Sequence, residues 1–230
     1  MLPFEYFDKI YCINLDSRPD RWEMFQQELP KIGVDVERFS AKIGVNGKTP
    51  YQRGALGCAL SHYSILRKSI ENGLNNVLVL EDDVYITSNA NDVLPVALKE
   101  LPPNWFLFYL GFLNHGDCQV ISDNVLHIKE NGNCTHAICY SREAMEYIVD
   151  YYSSINLKLL DKIPNSIDGY YSHTIQPKVG RCFATNPPIA IQKDSVSDIS
   201  NEGYRQVMSQ STFNEYNHRC KRYNGKEVVL

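Results

Sequence analysis

The sequence predicts an α/β fold built on a doubly wound, mostly parallel sheet. Short apolar runs typical of buried strands alternate with helical patterns over the first half of the 230 residues. Polar residues follow two of these runs directly, as expected where ligands bind beyond the carboxyl ends of strands. The chain is 43% hydrophobic and 22% charged, which excludes a disordered, collagen-like or coiled-coil protein.

The first predicted strand covers residues 10–15, where β-branched and aromatic residues form a short apolar run. Ser17 is predicted to cap the following helix, in which Trp22, Phe25 and Leu29 lie on one face. A second strand is predicted over residues 34–39.

Residues 40–55 contain several glycines and a proline, so we expect a loop there. Apolar residues at helical spacing predict a helix over 56–70 that ends at Gly73. The continuous apolar run 77–80 is typical of a central parallel strand buried on both faces.

The second half of the chain has weaker patterns. Ser141 is predicted to cap a helix through residue 150, and another helix is expected over 165–174. The predicted extended segments are 105–112, 125–128, 182–184 and 189–191.

Three consecutive carboxylates, Glu81, Asp82 and Asp83, follow the central strand. They repel one another unless a positive group lies between them. In an extended chain Glu81 and Asp83 would lie on one side and could bind Mg²⁺ or Mn²⁺, with open positions left for nucleotide phosphates. The alternative is a solvated acidic turn.

Arg18 and Arg21 lie at the predicted start of the first helix, where guanidinium groups could hold a phosphate. The alternative is surface ion pairs with Asp16 and Asp20. His62, on the second predicted helix, is either a catalytic group or a hydrogen-bonded packing residue.

Several functional classes are disfavoured. The net charge is 23 − 27 = −4, whereas nucleic-acid binding needs a positive field, so no nucleic-acid partner is expected. The spacing of Cys118, Cys134, His136 and Cys139 lacks the close cysteine pairs of a structural zinc site. The sequence also lacks dinucleotide-binding, P-loop and serine-hydrolase motifs.

The seven cysteines and the N-terminus bear on localisation. An odd cysteine count without a secretory signal indicates free thiols in a reducing compartment, so we predict a cytoplasmic protein. No segment is apolar enough for a transmembrane span, although peripheral membrane contact and a homo-oligomer stay open.

Four blocks of the sequence resemble glycosyltransferase family 25, which includes lipopolysaccharide galactosyltransferases and collagen-type galactosyltransferases. The most specific is 54–62, which contains Gly57-Cys58-Ala59-Leu60-Ser61-His62. The others are 13–16 with Arg18 and Arg21, 79–84 with Glu81-Asp82-Asp83, and 188–192 followed by Ser197-Asp198-Ile199. The resemblance spans about residues 8 to 200.

The resemblance implies a GT-A-type α/β/α sandwich with a Rossmann-like central sheet. It implies a single glycosyltransferase domain over 1–230, with a donor-binding half at about 1–115, an acceptor-side half at about 116–200 and a polar tail at about 201–230. The implied reaction is inverting transfer of galactose or glucose from a UDP-sugar to a hydroxyl on a glycan or a hydroxylysine-bearing protein.

The resemblance also assigns residues. Glu81 and Asp83 would bind Mn²⁺ or Mg²⁺. Inversion requires a base on the acceptor side, opposite the leaving phosphate; Asp168 is the first candidate and Asp198 the second. The implied donor-binding residues are Asn14, Arg18, Arg21, Ser61, His62 and Asp82. Two alternatives remain: a non-catalytic nucleotide-sugar or glycan-binding module on the same fold, and a metal-dependent phosphohydrolase.

Overall fold

The structure is a computed structural model that describes residues 2–45, 47–114, 116–154 and 166–192. Its strands, in chain order, are β1 (Lys9–Asn14), β2 (Glu37–Ser40), β3 (Asn76–Glu81), β4 (Val84–Ile86), β5 (Leu107–Asn114), β6 (Cys118–Val120), β7 (Val125–Ile128), β8 (Gly132–Ser141), β9 (Cys182–Thr185) and β10 (Ala190–Gln192).

The helices lie mostly between these strands. They are α1 (Pro19–Gln26), α2 (Leu29–Ile32), α3 (Pro50–Glu71), α4 (Ala90–Glu100), α5 (Arg142–Ser154), α6 (Ile167–Tyr170) and α7 (Gln176–Val179), with a 3₁₀ turn at Pro3–Tyr6 and a π-helical turn at Tyr171–Ile175. Within the described ranges, no helix combines the length and the apolar character needed to cross a membrane.

Eight strands form one central sheet in the order β2-β1-β3-β8-β5-β9-β7-β6. β1, β2, β3, β5, β6 and β9 run in one direction, and only β7 and β8 run against them. The predicted mostly parallel α/β sheet is therefore confirmed. The strand over 77–80 is central, as expected, but it is parallel only to β1 and pairs antiparallel with β8.

The sheet lies between two helical layers. Alternate residues of β1 and β3 enter two separate apolar clusters, one with α3 and α5 and the other with α1, α2 and α4. Because both faces of these strands are covered, their side chains are apolar on both sides, which is why the runs are continuous in sequence. The arrangement is a three-layer α/β/α sandwich.

A small second sheet pairs β4 with β10. It approaches β5 closely at Gly111, where an added Cβ would lie 1.7 Å from the carbonyl oxygen of Ala190. Only glycine permits this contact, which brings the end of β10 next to the segment that follows β3.

Two predicted boundaries are wrong for local reasons. Ser17 is not the cap of α1, because the Arg18 N–H bonds the Leu15 carbonyl in a turn and the helix starts one residue later, at Pro19. The predicted loop over 40–55 ends at Thr49, which forms a capping box with Gln52 and starts α3 at Pro50.

Other differences lie in the second half. The predicted helix over 165–174 is a short α6 followed by a π-helical turn, and residue 165 lies outside the described ranges. Helix α4 and strand β8 have no counterpart in the sequence prediction. The predicted cap at Ser141 is confirmed, since its hydroxyl accepts the Ala144 N–H at 3.2 Å.

Candidate active site

The candidate site lies where β1 and β3 end side by side. The two strands are parallel and neighbours, with Ile13 opposite Glu81. Asn14 therefore ends β1 next to the acidic segment that follows β3. This is the edge of the sheet where α/β proteins bind ligands.

The acidic segment changes conformation at Glu81. Glu81 is the last residue of β3, and Asp82 and Asp83 form the turn that leads into β4. Strand alternation therefore stops at Glu81 and does not govern how Glu81 and Asp83 are placed. Each of the three carboxylates has its own set of partners.

Asp82 is held by two donors from the β1–α1 region. The Asn14 amide donates to Oδ2 at 2.6 Å, and Arg21 Nη1 donates to Oδ1 at 3.0 Å. Asn14 is fixed in turn, because its Oδ1 accepts from Arg38 Nε at 2.8 Å. Burial raises the pKa of Asp82, and the contacts with Asn14 and Arg21 partly offset this rise.

Asp83 is as buried as Asp82 but is not fully paired. Its Oδ2 accepts from Gln192 Nε2 at 3.0 Å and lies 3.7 Å from Arg21 Nη2. Its Oδ1 is buried and has no hydrogen-bond partner among the residues that the structure describes. Burial, and then the charge of Glu81, raise the pKa of Asp83 to about 7.

Glu81 faces β8 and α3. Its Oε1 accepts from the Thr135 hydroxyl at 2.7 Å and lies 3.9 Å from His62 Nε2. Burial raises the pKa of Glu81, but His62 and Thr135 lower it further, so the net pKa is below the ordinary value. The Glu81 side chain is 22% exposed and is thus less buried than those of Asp82 and Asp83.

His62 is completely buried in α3. Its Nδ1 is hydrogen-bonded to the Tyr140 hydroxyl at 2.8 Å, and the Tyr171 hydroxyl donates to the same oxygen at 3.2 Å. Its Nε2 makes no hydrogen bond within the described part of the chain. His62 is thus a packed, hydrogen-bonded residue whose other ring nitrogen faces Glu81.

Cys58 lies one helical turn before His62 and faces the same region. Donor atoms of Cys58, His62 and Glu81 all lie within 4.8 Å of one another. Burial raises the pKa of the Cys58 thiol, and the charges of Glu81 and Asp168 raise it too. Cys58 therefore lies close to Glu81, and its Sγ is also 4.0 Å from the Thr135 hydroxyl.

Asp168 belongs to the first turn of α6, where Ser166 is the cap. Its Oδ1 accepts the Gly169 N–H at 2.9 Å, and its Oδ2 accepts the Cys134 N–H at the long distance of 3.4 Å. Asp168 is not the N-cap of α6, since the Ser166 hydroxyl accepts the Gly169 N–H at 3.3 Å and has that role. Ile167 and Tyr170, on either side of Asp168 in α6, pack in the same apolar cluster as α3, so Asp168 lies on the α3 side of the sheet.

Two other predicted residues have contacts elsewhere. Arg18 pairs with Asp20 at 2.8 Å, the surface pair considered as its alternative. Ser61 donates to the Gly57 carbonyl at 2.7 Å and accepts the Lys42 N–H at 2.8 Å, which ties the preceding loop to α3. Asp198 lies outside the described residues.

Sequence reasoning missed two side chains that position the carboxylates. Thr135 in β8 and Gln192 at the end of β10 donate to Glu81 and Asp83. Gln192 closes a block that resembles the family, so that block was an available signal. Thr135 lies in a strand that the sequence pattern did not predict.

The donor set fits a hard divalent cation. Glu81 and Asp83 offer carboxylate oxygens, and Asp83 Oδ1 is buried without a hydrogen-bond partner among the described residues. Mg²⁺ and Mn²⁺ prefer such oxygen ligands.

A family model and individual related sequences point to the same protein family. Glycosyltransferase family 25 (LPS biosynthesis protein) matches residues 7–122. A glycosyltransferase 25 family member of Drosophila melanogaster is 28% identical over 184 residues, 68% of this chain and 29% of that protein. Inactive glycosyltransferase 25 family member 3 of Homo sapiens is 33% identical over 129 residues, 46% of this chain and 22% of that protein. The chain spans less than a third of the length of these relatives.

Comparison with solved structures concerns the fold alone. A glycosyltransferase involved in the glycosylation of the major capsid of PBCV-1 superposes with a TM-score of 0.53 and 12% identity, over 93% of this chain and 98% of that chain. This likeness agrees with the GT-A-type sandwich that the sequence resemblance implied.

Proposed function

Because the chain belongs to glycosyltransferase family 25, we propose that it transfers a hexose from a UDP-sugar to a hydroxyl acceptor with inversion. The proposed donor is UDP-galactose, with UDP-glucose as the alternative, and the acceptor is a glycan or a hydroxylysine-bearing protein. The observation that carries the proposal is the buried, incompletely paired Asp83 beside Glu81, at the edge where strands β1 and β3 end.

Glu81 and Asp83 are the residues that would hold Mn²⁺ or Mg²⁺. When bound, the ion supplies positive charge that stabilises the departing diphosphate. Asp82 is not proposed as a metal ligand, because both of its carboxylate oxygens already accept hydrogen bonds from Asn14 and Arg21. It braces the turn and keeps Arg21 at the site.

The donor side of the proposal uses the remaining residues of that edge. Arg21 is buried against the carboxylates, so an arriving diphosphate can share its guanidinium. Arg18 would contact the donor after leaving its exposed partner Asp20. Asn14, Ser61 and His62 would keep the edge rigid, since their polar atoms contact neighbouring protein groups.

The acceptor side depends on a base. Asp168 is the proposed base, because within the described residues its Oδ2 accepts a single long hydrogen bond, and because it lies in the half of the chain that we assign to the acceptor. It would take the proton of the acceptor hydroxyl while that oxygen bonds to the anomeric carbon. The bond from that carbon to the phosphate oxygen breaks in the same step, and UDP leaves with the electron pair. Asp198 is the alternative base.

The test is UDP release from UDP-galactose and UDP-glucose over a panel of hydroxyl acceptors, with Mn²⁺ or with EDTA. Turnover should require the ion. Asp83→Asn should lower kcat by roughly 10³-fold, because the ion and the diphosphate lose a ligand. Asp168→Asn should lower kcat by roughly 10²-fold or more while UDP still raises the Tm, because a general base acts on the chemical step rather than on donor binding.

The matched control is Asp92→Asn, an exposed acid in the first turn of α4 that the proposal does not use. It should leave kcat within about twofold, because the residue is exposed and has no part in the proposed site. EDTA-insensitive turnover, or equal rates for Asp83→Asn and the wild type, would contradict the proposal. Phosphate release from simple esters would instead favour a phosphohydrolase.

A non-catalytic nucleotide-sugar or glycan-binding module is the second candidate. It is favoured by one observation: a relative that is 33% identical over 129 residues is called inactive. UDP binding without turnover on any acceptor in the panel would support this module.

A further inference from the structure

Helix α3 brings a thiol and an imidazole to one face. Cys58 and His62 are four residues apart, so their side chains are neighbours on the helix surface. Both face the end of β3, where Glu81 supplies a carboxylate. The three groups come from one helix and one strand of the packed sandwich, which holds their backbones in place.

The distances among the three donors are close to those of a metal site. All of the donor atoms lie within 4.8 Å of one another, and His62 Nε2 lies 3.9 Å from Glu81 Oε1. In tetrahedral zinc sites, bond lengths of about 2.0–2.3 Å put ligand atoms roughly 3.3–3.6 Å apart. A shift of the partly exposed Glu81 side chain can make up the difference.

We propose that Cys58, His62 and Glu81 form a second cation site, selective for a thiophilic divalent ion such as Zn²⁺. Sulfur and imidazole donors favour zinc over the magnesium or manganese that a pair of carboxylates prefers. Three protein ligands with one open position is a common zinc arrangement.

The surroundings of the three groups match those of metal ligands. His62 Nε2 is completely buried and makes no hydrogen bond within the described ranges, so its lone pair can bind an ion when the proton is on Nδ1. The Tyr140 hydroxyl beside Nδ1 can accept its N–H and fix that tautomer. The Thr135 hydroxyl orients Glu81 in the same manner. Such outer partners usually accompany metal-binding histidines and carboxylates.

The two cation sites share Glu81. A zinc ion on Cys58 and His62 therefore removes one of the two carboxylates proposed for the catalytic ion. This consequence rests on the proposed function: zinc should inhibit the transferase, and Cys58→Ser should weaken the inhibition. The binding of zinc itself does not depend on any transferase activity.

The test uses the full chain, reduced and metal-free, titrated with Co²⁺ as a spectroscopic probe and then with Zn²⁺ in competition. A cobalt–thiolate bond gives a charge-transfer band in the near ultraviolet. The wild type should show a saturable band that Zn²⁺ removes. Cys58→Ser should lose the band and bind Zn²⁺ at least tenfold more weakly, and the control Cys134→Ser should match the wild type.

A second measurement, made on the wild type alone, keeps the proposal testable if the Cys58→Ser variant does not fold. Zn²⁺ should slow alkylation of Cys58 by iodoacetamide at least tenfold, mapped by mass spectrometry, and should leave Cys134 unaffected. No cobalt–thiolate band in the wild type, a band that persists in Cys58→Ser, or unprotected Cys58 would overturn the proposal. Failure of UDP and Mn²⁺ binding would count only against the transferase.

Discussion

Asp82 and Asp83 are adjacent and equally buried, at 7% exposure each, yet their carboxylate oxygens differ in hydrogen bonding. Both oxygens of Asp82 accept hydrogen bonds, from Asn14 and from Arg21. Asp83 uses one oxygen for Gln192 and leaves the other unpaired in the described structure. Glu81, on the far side of the turn, is paired with Thr135 and stays partly open to solvent.

The difference separates two tasks within three consecutive residues. A buried charge that is paired and hydrogen-bonded stabilises a local structure, as Asp82 does for the start of α1. A buried charge that lacks partners costs free energy until a ligand arrives. Asp82 therefore stabilises the turn, whereas Glu81 and Asp83 are the carboxylates at which we propose that a cation binds.

The largest effect is expected from Arg21→Met, which removes the guanidinium group that pairs with Asp82. The Arg21 side chain is only 12% exposed and pairs with Asp82. The substitution removes the positive charge that pairs with the buried Asp82 carboxylate and leaves the neutral Asn14 amide, so the free energy of unfolding should fall by about 3 kcal/mol at pH 8. Urea denaturation measures it.

The matched control for that prediction is Arg18→Met in the same turn. Arg18 pairs with Asp20, whose side chain is 59% exposed. Its removal should change the free energy of unfolding by less than about 1 kcal/mol. Equal losses in the free energy of unfolding for the two variants would refute the distinction between the buried Arg21–Asp82 pair and the surface Arg18–Asp20 pair.

A smaller effect is expected from Asp83→Asn in the metal-free protein, where the substitution should raise the stability of the fold rather than lower it. The folded-state pKa of about 7 lies above the ordinary 3.8, so wild-type stability falls as pH rises from about 4 to about 7. Asparagine does not titrate. The variant should therefore melt about 5 °C above the wild type at pH 8 and close to it at pH 4.

Calorimetry at the two pH values tests this prediction. A difference in Tm that is the same at both would show that Asp83 does not titrate as proposed. Mn²⁺ should raise the Tm of the wild type more than that of the variant, because only the wild type keeps both carboxylates.

The smallest effect is expected from Thr135→Val, which removes the donor to Glu81 with little change of shape. Loss of this hydrogen bond should cost about 1 kcal/mol. The pKa of Glu81 should rise, because the donor that favours its charged form is gone. Carboxyl NMR titration measures the pKa, and Thr135→Ser should behave like the wild type.

Much of the fold follows from sequence patterns. The apolar runs of β1 and β3 and the helical spacing in α3 involve residues that are close together in the chain, so they can be recognised from the sequence. Boundaries failed where a turn competed with a cap, as at Ser17, or where the Thr49–Gln52 capping box was overlooked. Strand β8 was not predicted, although it carries Thr135 and pairs with both β3 and β5.

The sequence by itself determined which residue types follow the buried strands, and hence that carboxylates lie at the ligand-binding edge of the sheet. Tertiary structure alone decided which carboxylate oxygens are paired, because their partners are distant in the chain. Asn14 is 68 residues from Asp82, Thr135 is 54 from Glu81, and Gln192 is 109 from Asp83. Hydrogen bonds and burial depend on position in space, so no local pattern encodes whether a buried charge is compensated.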